Sequence, residues 1–311
     1  MKKLLLVFMV VLILPFNASA QNTPCSGKKG GVSRCEGSKF VCNDGSYSQS
    51  KKVCSGGVEA KDNPSNKTIN AFLGIGTQHS ETDKKTEITQ LGDVLKLDYQ
   101  GFTIWLNCKE RSAVKFQYNV QHDTRNEARA KGFELDPNIP KECQQISTMA
   151  YGQGYDRGHQ VPANHLDYSS EAIKQSNYVT NIMPQTSQMN RGAWLLTEEI
   201  IECYRDIDEL LVIGGVIIGN NPADDYFVQS HGVKTPDAFW KVVIRGAGQD
   251  ERAIAWVVPN SKDATREHLD SYLVTVDELE RMTGETIPVA DYAKRDKPSV
   301  SWIIPTGCNK G

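Results

Sequence analysis

The stretch YDRGHQVPANH, residues 155–165, is neither an amphipathic helix signal nor a plain alternating strand. It sets a charge pair, Asp156 and Arg157, before Gly158, and then places His159 ahead of Val161-Pro162. A histidine in a loop is by default structural or solvated, and it becomes chemical only when partners surround it. A second stretch, NIMPQTSQMNRGAWLLTEE at residues 181–199, holds the candidates for those partners.

Outward from these two stretches, the apolar pattern reads mostly as strands. VLKLD (94–98) alternates, and 101–107 followed by 114–120 suggests a hairpin. LLVIGGVIIG (210–219) reads as a buried strand, and FWKVVIRG (239–246) and AIAWVVP (253–259) as two more. Helices are expected at 170–176, from near Met189-Asn190 to Asp206, and over 275–284, where Thr275 opens the helix and Gly284 closes it. Strands outnumber helices and do not alternate with them as βαβ units. The expected class is therefore α+β with a largely antiparallel sheet. Gly214-Gly215 lacks the rest of any phosphate-binding loop.

The ends differ from the middle. Lys2 and Lys3 precede the apolar run LLLVFMVVLIL, and Ala18-Ser19-Ala20 follows. This reads as a signal peptide over residues 1–20, too short for a membrane span, so a secreted protein (extracellular or periplasmic) is expected, with no membrane attachment after cleavage. Loss of Lys2 and Lys3 leaves 33 basic against 38 acidic residues, a net charge of −5. Eight cysteines in a secreted chain read as disulfides. Cys25, Cys35, Cys42 and Cys54 crowd into residues 21–58, a Gly/Ser/Lys-rich module too poor in large aliphatics to fold without staples. Their spacing contains no C-x-x-C, which disfavours zinc, and it leaves three pairings open. Cys108, Cys143, Cys203 and Cys308 are dispersed; Cys203 with Cys308, and Cys108 with Cys143, is one pairing open to them. Residues 59–70 read as a linker and 71–311 as one globular domain.

The residue types around His159 suit metal-assisted phosphodiester hydrolysis. A carboxamide oxygen on Asn190 can anchor a hard cation without adding negative charge that would repel a phosphodiester. Glu198, eight residues on, could hold one of the cation's waters. His159 could take a proton from an attacking water, and a guanidinium, from Arg157 or from an upstream arginine, matches the non-bridging phosphate oxygens. Each has a plainer reading: a helix-start residue for Asn190, a solvated acid for Glu198, an ion pair for Arg157. Asp156 is expected to hold its loop by hydrogen bonds, His165 to be structural, and Trp194 and Trp240 to lie in the core. His79, His122, His231 and His268 are expected at the surface.

YDRGHQVPANH followed by NIMPQTSQMNRGAW and a glutamate resembles the DNA/RNA non-specific endonucleases of the ββα-metal (His-Me finger) class. The resemblance runs over roughly residues 85–308. It extends to VKTPDAFWKVVI (233–244), LVTVDELERMTG (273–284) and an upstream RAKGFELDP that starts at Arg129. It implies His159 as general base, Asn190 as the protein ligand of Mg²⁺ (with Mn²⁺ as substitute), Glu198 in the metal's water shell and Arg129 on phosphate. Arg125 is the second choice for that arginine. It also implies DNA and RNA as substrates, cut to 5′-phosphate ends.

The expectation is a secreted, sugar-non-specific endonuclease acting as monomer or homodimer. A phosphodiesterase confined to one nucleic acid, or an inactive extracellular nucleic-acid-binding or adhesion protein on the same fold, are the rivals. The acidic net charge sits awkwardly with a polyanionic substrate. It calls for a local basic groove, for which Arg125, Arg129, Lys131, Arg157 and Arg191 are the candidates.

Overall fold

The computed structural model describes residues 24–25, 27–29, 32–36, 39–50, 86–120 and 122–310. The expected signal peptide and linker lie outside the described residues. The chain forms two compact units, Met1–Gln78 and His79–Gly311. Among the described residues no helix is long and apolar enough to cross a membrane.

The first unit holds an antiparallel hairpin of β1 (Val32–Glu36) and β2 (Lys39–Cys42). A Cys25–Cys42 disulfide closes it. Among the described residues of this unit Cys25, Val41 and Cys42 are the buried apolar ones, and the disulfide joins two of the three. Cys54 and the Cys35 side chain lie outside the described residues.

The second unit is built on one eight-stranded antiparallel sheet. Its strands are β3 (Glu87–Leu91), β4 (Val94–Asp98), β5 (Phe102–Asn107), β6 (Ser112–Val120), β9 (Leu210–Ile217), β10 (Ala238–Arg245), β11 (Arg252–Pro259) and β12 (Leu273–Val274). Their spatial order is β12-β11-β10-β9-β6-β5-β4-β3. A separate ribbon pairs β7 (Tyr155–His159) with β8 (Ile182–Thr186). The α+β class with a largely antiparallel sheet is therefore the observed one, and the expected strands and the 170–176 helix fall where the sequence places them.

Side-chain alternation splits the core into two layers. On β10, Phe239 and Val243 join the larger cluster, which contains Trp194, Ile200 and Ile201 of the segment after β8. Trp240, Val242 and Ile244 join the other, against Val276, Leu279 and Ala293. Each fully buried side chain of this size contributes roughly 1.5–3 kcal/mol. The Val276–Thr283 helix in the second layer starts with a reciprocal cap. The Thr275 hydroxyl accepts from Glu278 N at 3.0 Å, and the Glu278 carboxylate accepts from Thr275 N at 2.8 Å. Gly214 and Gly215 serve packing: a side chain at either would run into Phe116 or Trp240.

Three expectations are corrected. YDRGH is a strand after all, because its pairing to β8 overrides an unremarkable local pattern. The helix expected from Met189 to Asp206 is interrupted: a helical turn at Ser187–Met189 passes into a π-turn at Asn190–Trp194 before a regular helix at Leu195–Tyr204. His231 is buried, its Nε2 bonded to the Met149 carbonyl at 3.0 Å, because the segment between β9 and β10 that carries it packs its ring against Tyr151 and Phe227.

Cys108 pairs with Cys143 and Cys203 with Cys308, so the C-terminal tail is tied to the Leu195–Tyr204 helix across 105 residues. Replacing Cys203 and Cys308 together by alanine is expected to lower the unfolding free energy by about 2–4 kcal/mol. The check is the urea midpoint of the oxidised protein at pH 7; an unchanged midpoint would mean that the tether adds no stability.

Candidate active site

β7, β8 and the helical segment after β8 form a strand–strand–helix unit on the sheet face that carries Phe239 and Val243. Gly158 is required by close approach. It faces Met183 in the ribbon, and a Cβ there would collide with the buried Gln185 side chain. Asn181, fully buried, stitches the loop after β7 to the start of β8. Its Oδ1 accepts from Val161 N and its Nδ2 donates to the Val161 carbonyl, both at 2.9 Å. The site is thus mounted on a ribbon whose backbone polar groups are satisfied.

His159 is half-buried, and its Nε2 lies 2.8 Å from Asn177 Oδ1. The Asn177 amide can face only one way, because its Nδ2 donates to the Gly132 carbonyl at 2.9 Å. Asn177 Oδ1 is therefore an acceptor for Nε2–H, which leaves the lone pair on Nδ1. Burial holds the imidazole below its ordinary pKa; the Asn177 bond pulls it up, and Arg129 and Arg157 push it down. The net result is a neutral histidine with one nitrogen available as a base. Asn177 is a positioning residue that sequence reasoning passed over, since it lies 18 residues from His159 in an ordinary helix end.

Asp156 organises the neighbouring element. Its carboxylate accepts from Ser187 Oγ at 2.9 Å, Asn190 Nδ2 at 3.0 Å, and Arg191 Nε and Nη2 at 2.8 Å each. Burial raises its pKa, but these donors outweigh that and hold it below the usual carboxylate range. Asp156 therefore anchors its loop as expected. Arg191, expected in a phosphate groove, is instead turned onto Asp156. With Nδ2 donating to Asp156, Oδ1 is the Asn190 atom left to accept from or ligate a further partner.

The π-turn also has a tertiary cause. Ala193 N donates to the Ala264 carbonyl at 3.1 Å, and a Cβ at Gly192 would sit 2.8 Å from that same oxygen. Gly192 leaves helical φ/ψ within this turn (φ −108°, ψ −108°), so the helix kinks between Asn190 and Glu198.

Glu198 is half-buried beside a fully buried lysine, Lys241 of β10. Lys241 Nζ donates to Thr197 Oγ1 at 2.7 Å and lies 3.8 Å from the centre of the Trp194 ring. Burial pushes the Glu198 carboxyl up, and Lys241 and Arg129 oppose that rise. Burial likewise pushes Lys241 down, opposed by Glu198. Lys241 was hidden in the sequence because it sits mid-strand in FWKVV. His165 is structural as expected, with Nδ1 2.9 Å from the Tyr118 hydroxyl and Nε2 3.1 Å from the Glu198 carbonyl.

Of the candidate arginines, Arg129 is exposed and close enough to shift both His159 and Glu198. Arg157 packs its guanidinium 4.2 Å over the Phe133 ring and donates to the Thr148 carbonyl at 2.9 Å. Trp194 and Trp240 are core residues. Glu199 is spoken for by a two-bond contact with Arg266, at 2.8 Å each.

The Asn177 bond makes a direct prediction. The His159 imidazole is expected to titrate below the free-histidine value in an NMR pH titration. Asn177→Ala moves it lower, because the bond that favours the charged form is gone. Asn177→Asp moves it higher, because a carboxylate favours that form more. Shifts of the same sign in both variants would reject the pairing.

Comparison with known proteins agrees with this architecture. The profile of the DNA/RNA non-specific endonuclease family matches residues 78–296, and that of the YdcA family matches residues 25–56. The chain is 30% identical over 178 residues to the mitochondrial nuclease EXOG of Xenopus laevis, covering 53% of this chain and 50% of that protein. It thus spans about half the length of this nuclease relative. Over 55 residues, 17% of this chain, it is 56% identical to the YdcA protein of Escherichia coli (strain K12), covering 96% of that protein. A crystal structure of the EndoG/EndoGI complex contains a chain of similar fold, with a TM-score of 0.51 and 20% identity over 67% of this chain and 88% of that one. With its profile match spanning more than half of the sequence, the chain belongs to the DNA/RNA non-specific endonuclease family.

Proposed function

We propose that the His79–Gly311 unit is a Mg²⁺-dependent endonuclease, with Mn²⁺ as a substitute ion, that hydrolyses DNA and RNA. The observation that carries this reading is a pair of half-committed groups on adjacent elements. His159 has Nε2 engaged and Nδ1 available, and Asn190 has Nδ2 engaged and Oδ1 available. The strand–strand–helix unit then corresponds to a ββα-metal motif.

The donor set suits a hard ion. Among the described residues no group of three His, Cys, Asp or Glu side chains converges as a zinc-type site would require. A single carboxamide oxygen and a nearby carboxylate fit an ion that keeps most of its waters. Asn190 would hold the cation directly and Glu198 one of its waters, and the bound cation would offset charge growing on the leaving oxygen.

His159 Nδ1 takes a proton from water as the water oxygen bonds to phosphorus. The bond from phosphorus to the 3′ oxygen breaks, and that oxygen takes a proton from solvent, leaving a 5′-phosphate and a 3′-hydroxyl. Arg129, exposed and felt electrostatically by both His159 and Glu198, and Arg157, felt by His159, supply cations for the non-bridging oxygens. The 2′ position takes no part, so both sugars serve. Phosphate contacts carry no base readout, which agrees with non-specific cutting.

The proposal extends to the chain's organisation. Residues 1–20 act as a signal peptide, 21–58 as a disulfide-tied module, 59–70 as a linker and 71–311 as the nuclease domain. The leader composition and the disulfides support secretion to an oxidising compartment.

The mature, oxidised protein is expected to degrade plasmid DNA and ribosomal RNA with Mg²⁺ and not with EDTA. His159→Ala is expected to lose about 10²–10⁴-fold in rate, and Asn190→Ala to lose most activity at limiting metal. Full activity in EDTA would end the metal reading, and no cutting in any buffer would favour a nucleic-acid-binding protein without catalysis. Lys241→Met is expected to move the acid limb of the pH–rate profile to higher pH. Without that ammonium the buried Glu198 holds its proton to a higher pH, and the ionised form is the working one. A limb that stays in place would detach Lys241 from the chemistry.

A further inference from the structure

The candidate base and a neighbouring arginine lie in one row. Side chains at alternate positions of a strand share a face, so Tyr155, Arg157 and His159 project from the same face of β7. The contacts agree: the Phe133 ring lies 4.2 Å from the Arg157 guanidinium and 5.5 Å from the His159 ring. The far end of the row is an aromatic surface that the chemistry at His159 does not use. The Tyr155 ring lies 6.0 Å from that of Tyr226, in the segment between β9 and β10. Both rest on Phe227, at 5.2 and 6.2 Å. Phe227 is fully buried and packs in turn on Tyr151 at 4.7 Å, so the pair has a close-packed floor. Tyr155 is half-buried, and Tyr226 is 48% exposed.

The two ends of the row differ in charge. Beyond burial and the Asn177 bond, the charges felt at His159 are those of Arg129 and Arg157. At the other end, burial raises the Tyr155 hydroxyl, and Tyr226 and the Asp224 carboxylate add to that rise. A carboxylate repels phosphate, while a tyrosine ring offers a flat face. Such a surface suits the flat, uncharged part of a nucleotide, its base, with the phosphates running past the arginines. Four residues of strand separate Tyr155 from His159, ~13 Å, so the stacked base belongs to a nucleotide further along the strand from the reacting phosphorus. A base within a duplex has its faces covered by its neighbours, and it reaches a protein ring only when it leaves the stack.

We propose that Tyr226 and Tyr155 form a stacking subsite for an unpaired base of the strand whose scissile phosphate lies at His159. This rests on the reading of nucleic acid as substrate. The polymer is then held at two kinds of point, phosphate at Arg157 and base at Tyr226, and an unpaired stretch is bound more tightly than a duplex of the same sequence. Every base has a stacking face, so the subsite selects strandedness and not sequence.

The test uses the full mature, oxidised chain carrying His159→Ala, so that the nucleic acid survives the measurement. Affinity is measured for a fluorescent single-stranded oligonucleotide and for the duplex of the same sequence, with and without Tyr226→Ala. The Tyr226→Ala variant is expected to bind the single strand about 5–150-fold more weakly and the duplex as the parent does. Tyr226→Trp keeps a stacking face and is expected to bind the single strand at least as tightly as the parent, which separates lost stacking from misfolding. A 2-aminopurine base moved along the single strand is expected to be quenched on binding at one position, and Tyr226→Ala to abolish that quenching. Equal losses on single strand and duplex would overturn the proposal. So would no loss on either, which would leave the exposed ring to a protein partner. Cutting of single-stranded DNA by the chain with His159 intact is scored separately. Tyr226-dependent binding without any cutting would reject the nuclease reading alone, and cutting with Tyr226-independent binding would reject the subsite alone.

Discussion

The carboxylate of Asp156 is the tie on which the arrangement of the site depends. It sits on β7 and accepts four hydrogen bonds from the first helical residues after β8. Hydrogen bonds to a charged group are worth roughly 1.5–3 kcal/mol when shielded from solvent, and less for the exposed Arg191. The larger consequence is directional. By accepting from the Asn190 amide nitrogen, Asp156 decides that Oδ1 is the end of that side chain left open, and it holds the Arg191 guanidinium in an ion pair. Asn177 works on His159 in the same way. In both places a neighbouring side chain fixes the orientation of a candidate site residue.

Beneath the helix that carries Glu198 lies a layer of buried charge. Lys241 is held by Thr197 and the Trp194 ring, and Arg205 pairs with Asp123 and Glu202 at 3.0 Å and with Asp167 at 3.4 Å. Burial pushes Glu202 up to about 7, in spite of Arg205. Such groups are costly to desolvate and are weak as sources of net stability. Their value here is positional: they fasten the helix to the sheet at polar points, where an apolar contact would allow sliding. The disulfide to Cys308 and the Glu199–Arg266 pair fasten the same helix from its other sides.

The interrupted helix links fold and chemistry. The Ala264 carbonyl accepts from Ala193 and crowds position 192, so the helix opens there and glycine is the residue that fits. The loop after β11, remote in sequence, thus sets where the helix between Asn190 and Glu198 is interrupted.

The sequence by itself determined much of this. Alternation placed β4, and short apolar runs placed β5, β6, β9, β10 and β11, because burial on one or both faces of a strand leaves a local imprint whatever the topology. Thr275, Glu278 and Gly284 marked a helix whose ends are capped by their own neighbours. The ordered motifs around His159, Asn190 and Glu198 marked the site, since their spacing reflects elements that are close in sequence. Tertiary structure alone decided the rest. β8 contains Pro184 and reads poorly as a strand, yet pairing with β7 makes both strands. His231 reads as a surface histidine and lies in the core. Asn177 and Lys241 are an ordinary helix-end residue and a mid-strand lysine until the fold brings one to the His159 ring and the other under Glu198. Their roles depend on contacts 18 and 44 residues or more away. A linear pattern records which face a residue turns inward; it does not record what that face meets.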